Sequence, residues 1–149
     1  MIKIKYALCG LLLMGGSIAP AAAEDSRQMV KMPEMMIEHM LGNMRDHLRA
    51  IDEIMGELTA GNADGAAKIA EERLGMSSLG DHGAAHIAKF MPEGMKAAGT
   101  AMHRAASRFG IEVKNAELAP GRKAQRRVYK ALQEITGTCV ACHQGYRVR

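Results

Sequence analysis

The chain has 149 residues, of which 24% are charged and only 3% aromatic, with a formal net charge of +4. That length suits one domain with a buried core, and so small a positive balance leaves no footprint for nucleic acid. Alanine, methionine, leucine and charged residues dominate while valine, threonine and aromatics are scarce, which argues against a strand-rich fold.

The chain starts with MIKIK, a short positive segment, followed by the apolar run YALCGLLLMGGSIA and the small residues Ala21, Ala22 and Ala23. The run is too short and too glycine-rich for a comfortable membrane span, so residues 1–23 read as a cleaved secretory signal rather than an anchor. Cys9 sits inside the apolar run, ahead of any plausible cleavage point, which argues against a lipoprotein signal. Cleavage leaves a domain over residues 24–149, exported to the periplasm, with no membrane span. It also removes Lys3, Lys5 and one of the 3 cysteines, so only Cys139 and Cys142 remain, in a compartment where unprotected thiols oxidise.

Four helical segments follow in order. The first opens near Met32 and Pro33, carries Glu34 and Glu38 in its early turns, and stops at Gly61 and Asn62. Ile37, Leu41, Met44, Leu48, Ile51, Met55 and Leu58 recur at steps of four and three and predict its core face. The second spans about Asp64 to Leu74, and the stretch GMSSLGDHGAAHIAKFM after it is broken by glycine and serine into a loop with a short helix. Pro92 opens the third, whose stripe is Met95, Ala98, Met102, Ala105 and Phe109, with Gly110 expected as its C-terminal cap. The fourth follows Pro120, and its stripe of Val128, Leu132, Ile135, Cys139, Cys142 and Tyr146 carries the core face straight into both cysteines. The cluster Arg122, Lys123, Arg126, Arg127 and Lys130 is the wet face of that helix, able to steer an acidic protein partner. No strand and no repeat is apparent. The expected fold is all-α, a single antiparallel four-helix bundle.

The segment TGTCVACHQGYR carries the chemistry. On a helix Cys139, Cys142 and His143 point to the same volume, being three and four residues apart. A thiol redox pair would normally accompany a βαβ pattern absent here. Zinc would want a fourth ligand, and histidines 39, 47, 82, 86 and 103 show none at motif spacing. A disulfide would close only a tiny loop, with little entropic gain. Covalent haem attachment, with each thiol added to a vinyl group and the adjacent histidine on the iron, fits the full CxxCH, the leader and the helical context together.

The run from Cys139 to Arg147, CVACHQGYR, resembles the CxxCHxxYR ending of the cytochrome c′ family, the class II c-type cytochromes, which carry haem near the C-terminus of a four-helix bundle. The FMPEGM stretch is similar to that family's proline-glycine opening of the third helix. The resemblance implies one haem c held by thioethers from Cys139 and Cys142, His143 as axial ligand, Tyr146 against the haem surroundings and Arg147 near a propionate. It implies a sixth ligand or an open site on the first helix. Met40-Leu-Gly-Asn43 resembles the methionine-x-x-asparagine of low-spin members, so Met40 is the candidate, with Met35, Met36, Met44, His39 and His47 as neighbours. A thioether there raises the potential and closes the site, making a one-electron carrier between periplasmic redox partners. An open site would instead bind nitric oxide or carbon monoxide. No acid–base constellation for turnover is present, and His86 and His103 read as structural or surface residues. The family contains monomers and homodimers, and both stay open. A different class of function, periplasmic copper binding, is suggested by the 11 methionines that remain of 13 once Met1 and Met14 leave with the signal, with Met32, Met35, Met36, His39 and Met40 as the cluster, but it leaves CxxCH unexplained.

Overall fold

A computed structural model describes residues 24–149, so the expected leader over residues 1–23 lies outside the described residues. Pro33 and Pro92 fix an extended entry at the N-cap positions of the two longest helices, α1 (Glu34–Thr59) and α4 (Glu93–Leu118), and their carbonyls accept the first helical hydrogen bonds. Between them lie α2 (Ala63–Ile69), capped by the Asn62 side chain accepting from the Gly65 amide at 3.0 Å, and a π-helical turn over Ala70–Leu74 that prolongs it. A loop of 3₁₀ turns with the short α3 (Ala84–Ile87) then leads into α4. After Gly121, whose φ of +146° suits glycine alone, α5 (Arg122–Gly145) runs back along α4. The fold is all-α.

Three features correct the sequence reading. Gly110 does not end the third helix, which continues to Leu118. It is buried instead against α2, where an added Cβ would meet the Ala67 carbonyl oxygen at 3.4 Å, so the position faces a neighbouring helix with room for a methyl group and little more, and does not cap. Second, α1 buries Ile37, Met40, His47, Ala50 and Ile54, while Leu48 is 73% exposed and Met55 is exposed too. The main core between α1, α2 and α4 is built on Ala50, Ala66, Ala67, Ala70 and Ala106, and small side chains let the helices approach at the expense of the larger apolar ones. Third, a short parallel ladder does form: β1 (Gln28–Met29) pairs with β2 (Tyr146–Arg147), and the Val30 amide adds a bond to the Arg147 carbonyl at 2.8 Å. His103 is buried, in keeping with the structural one of the two readings left open for it.

Two apolar clusters result. The larger centres on Phe109, Ile54, Leu74, Ile135 and Val113, all fully buried, with Cys139 at its margin. The smaller gathers Val30, Met40, Ile87 and Met95, with Met36, Cys142 and Tyr146 packed on it. Among the described residues no helix is long and apolar enough to cross a membrane. The basic residues 122, 123, 126, 127 and 130 are all exposed.

Candidate functional site

Between the two clusters lies a cavity of about 650 Å³, walled by α1, α4, α5 and the C-terminal segment. Its α1 wall is Met40, Leu41, Met44, His47, Leu48 and Ile51; its α4 wall includes Met95, Ala98, Gly99 and Met102. Much of the large apolar stripe read from the sequence of α1 therefore faces this space rather than the tight core. Ala98 and Gly99 keep the α4 wall low, and nothing stands within 4 Å of a Cβ built on Gly99.

All six residues singled out in the sequence line this one cavity: Met40 from α1, Cys139, Cys142 and His143 from α5, and Tyr146 and Arg147 from β2. The two thiols are unpaired and half-buried. Burial pushes both up from the ordinary thiol value, and the neighbouring Cys139 raises Cys142 further, so both stand as S–H groups. His143, in the last turn of α5, is exposed, and its carbonyl accepts from Arg27 at 3.4 Å.

The chain leaves α5 at Tyr146, whose extended backbone turns its ring into the smaller cluster. Its hydroxyl lies so close to Gly94 that a Cβ there would collide with it, which gives the glycine of Pro92-Glu93-Gly94 a packing reason. Arg147 Nε is buried and makes no hydrogen bond, although Asp25 Oδ2 stands 3.5 Å away. A guanidinium N–H left so in a cavity wall is a ready partner for an anionic group. Arg27 and Arg149 border the same space; Arg27 pairs with Asp25 at 2.7 Å and Arg149 with Glu34 and Glu38.

Of the other methionines around the start of the first helix, Met35 alone stands apart. Met35 is 73% exposed, whereas Met32, Met36 and Met44 pack on the smaller cluster with Met40. His39 turns to the loop, its Nε2 lying 2.9 Å from the His82 carbonyl, which Asn43 also reaches at 2.9 Å.

One grouping escaped the sequence reading. His47, His82 and His103 come together with Ser78 from α1, the loop and α4, and no helical spacing connects positions so far apart in the chain. The only hint was the excess of histidine in and around a glycine-broken loop. They do not form a ligand set: among the described residues no group of three or more His, Cys, Asp or Glu side chains is arranged to hold a metal ion. No family model matches the chain, and no curated protein or solved structure does.

Proposed function

We propose that the protein is an exported c-type cytochrome of the cytochrome c′ kind, a single-electron carrier between periplasmic redox proteins. In this reading α1, α2, α4 and α5 form an antiparallel four-helix bundle around one haem c. Cys139 and Cys142 hold it by thioethers, His143 is the axial ligand and Met40 the sixth. The observation that carries the proposal is the single cavity on whose wall two free thiols, an imidazole and a buried thioether from a facing helix converge.

The residues present fit the group. The volume lies within the range of cofactor sites, about 300 to 1,000 Å³. The wall is apolar around Ile51, Met95, Met102 and Ile135, and covering that surface would contribute about 25 cal/mol per Å². The buried N–H of Arg147 would find a carboxylate acceptor in a propionate. When bound, the haem supplies Fe(III)/Fe(II) cycling. The chain's part is to anchor it, to exclude water through the α1 and α4 walls, and to place a thioether that raises the potential and leaves no substrate position. Copper binding has less support, because Met35 stands apart from Met32, Met36 and Met40, which are engaged in apolar packing.

The test is the visible spectrum, oxidised and reduced, of protein exported through a haem-maturation pathway. Covalent haem lost on the joint Cys139→Ala and Cys142→Ala change is expected; a chain that carries no covalent haem overturns the proposal. A low-spin spectrum unmoved by carbon monoxide, turning high-spin and gas-sensitive in Met40→Ala, identifies the carrier. A wild-type spectrum that shifts with carbon monoxide makes the protein a gas binder instead.

A further inference from the structure

The three histidines beside the cavity have no part in that function, and their placement assigns them one. His47, His82 and His103 stand with ring centroids 4.7, 5.5 and 5.8 Å apart. His47 and His103 are buried, at 8% and 7% exposure, and His82 is half-buried. Of the three only His47 lines the cavity. His47 Nε2 lies 3.5 Å from His82 Nδ1, which is itself 3.5 Å from the Ser78 hydroxyl. That hydroxyl donates to the Gly75 carbonyl at 2.8 Å and lies 3.4 Å from His103 Nδ1.

The π turn prepares this arrangement. It ends the second helix at Leu74 and presents the carbonyls of Leu74 and Gly75, the latter already accepting from the Ser78 amide at 3.2 Å, to His103. His103 Nδ1 donates to them, at 2.8 and 3.2 Å, which leaves the lone pair of its ring on Nε2. The loop is pinned over α1 by the two contacts to the His82 carbonyl from His39 and Asn43. Gly83, at φ +60°, permits the approach, since a Cβ there would lie 2.9 Å from His39 Nε2.

We propose that His47, relayed to solvent through His82, takes up a proton when the cavity takes up an electron, so that the protein's reduction potential depends on pH. The proposal rests on the reading of the cavity as a haem site. One electron from an external one-electron donor takes ferric iron to ferrous and removes one positive charge from the cavity. One proton from solvent, passed by His82, binds the ring nitrogen of His47 that carries no hydrogen and restores that charge.

Several charged and titratable groups face His47 from the elements packed around it. Asp46 on α1 favours its protonation, Arg73 on the π turn opposes it, and the two are paired with each other at 2.7 Å. Glu53 also pairs with Arg73. Beyond them face His103 from α4 and His82 from the loop, with Asp81 and His39 near His82. From α5 and the terminal segments the cavity receives Cys139, Cys142, Tyr146, His143, Arg27, Arg147 and Arg149. Burial, then the proximity of His82 and His103, holds His47 down at about 4, so it is neutral at pH 7 in the absence of a charge change nearby.

The experiment measures the midpoint potential of the haem-loaded protein from about pH 4 to about pH 8, in the wild type, His47→Gln and the exposed-site control His86→Gln. The expected result is an equilibrium constant for reduction that falls with rising pH, by up to about tenfold per pH unit for one coupled proton. The fall flattens in His47→Gln and persists in His86→Gln. Equal pH dependence in the wild type and His47→Gln overturns the inference, as does a spin-state change in His47→Gln, which would make His47 an iron ligand. Nitrogen NMR of the His47 ring in the wild type gives a measurement free of any folding defect: its titration midpoint must be higher in the ferrous than in the ferric protein. Haem attachment is verified first, so a chain without haem refutes the proposed function, whereas a haem protein with no His47 response refutes this inference alone.

Discussion

At Gly94 a missing side chain decides where an aromatic ring goes, because only a bare α-carbon in the first turn of α4 admits the Tyr146 hydroxyl. Single residues with that degree of consequence are few here, and His47 is another. Its folded value of about 4 against an ordinary 6.5 means that the unfolded chain binds the proton more readily than the folded one. Stability is therefore complete above about pH 6.5 and falls as pH is lowered toward 4, below which the loss levels off, at a cost of about 3 kcal/mol. Urea midpoints of the purified protein at ~pH 7 and ~pH 4.5 should differ more in the wild type than in His47→Gln, which has no proton to bind. Equal losses in the two proteins would place the acid sensitivity elsewhere. CVACH was visible in the sequence because its spacing is local. The His47, His82 and His103 group was not, because each residue comes from a different element and none keeps a helical interval with the others.

At the scale of the element, the helix starts were legible and some of the ends and faces were not. Proline before a run of acidic and apolar residues announces a helix start on local chemistry alone, and α1 and α4 begin directly after Pro33 and Pro92. A glycine late in a helix has two meanings, a cap or a position facing a neighbouring helix, and only the partner helix distinguishes them. For Gly110 the partner is α2 at Ala67. Gly110→Ala is expected to stabilise by up to about 1 kcal/mol, since a methyl group there makes an ordinary contact and alanine favours helix. Gly110→Leu should destabilise by about 1 to 3 kcal/mol by forcing α2 away. Denaturant unfolding of the two variants checks the pair of signs, and a destabilising alanine would contradict this packing. The face of α1 was misread for a related reason. Large apolar residues mark the deep face only when the neighbour stands far enough away to need them, and here alanine on both helices brings α1 and α2 together.

For the whole molecule, the two ends of the described chain meet. The pairing of β1 with β2 and the bonds of Arg149 to Glu34 and Glu38 close the C-terminal segment over the cavity that α1, α4 and α5 wall. Exposed ion pairs contribute little individually, so the backbone bonds and the burial of Val30 carry this closure. Removing residues 147–149 is expected to abolish the protection of the Val30 amide in hydrogen exchange while leaving Phe109 in α4 protected. Loss of protection at both sites would mean that the closure supports the entire fold.

Sequence by itself determined the all-α class, the sites where helices begin, and the gathering of two thiols and an imidazole on one turn, because these follow from propensity and from intervals of three and four residues. The tertiary structure alone decided that the methionine of α1, the thiols of α5 and the arginine of β2 share one cavity, and that three histidines stand beside it. Those juxtapositions depend on how closely alanine lets helices approach and on a terminal strand pair, contacts between distant segments whose geometry no local spacing encodes.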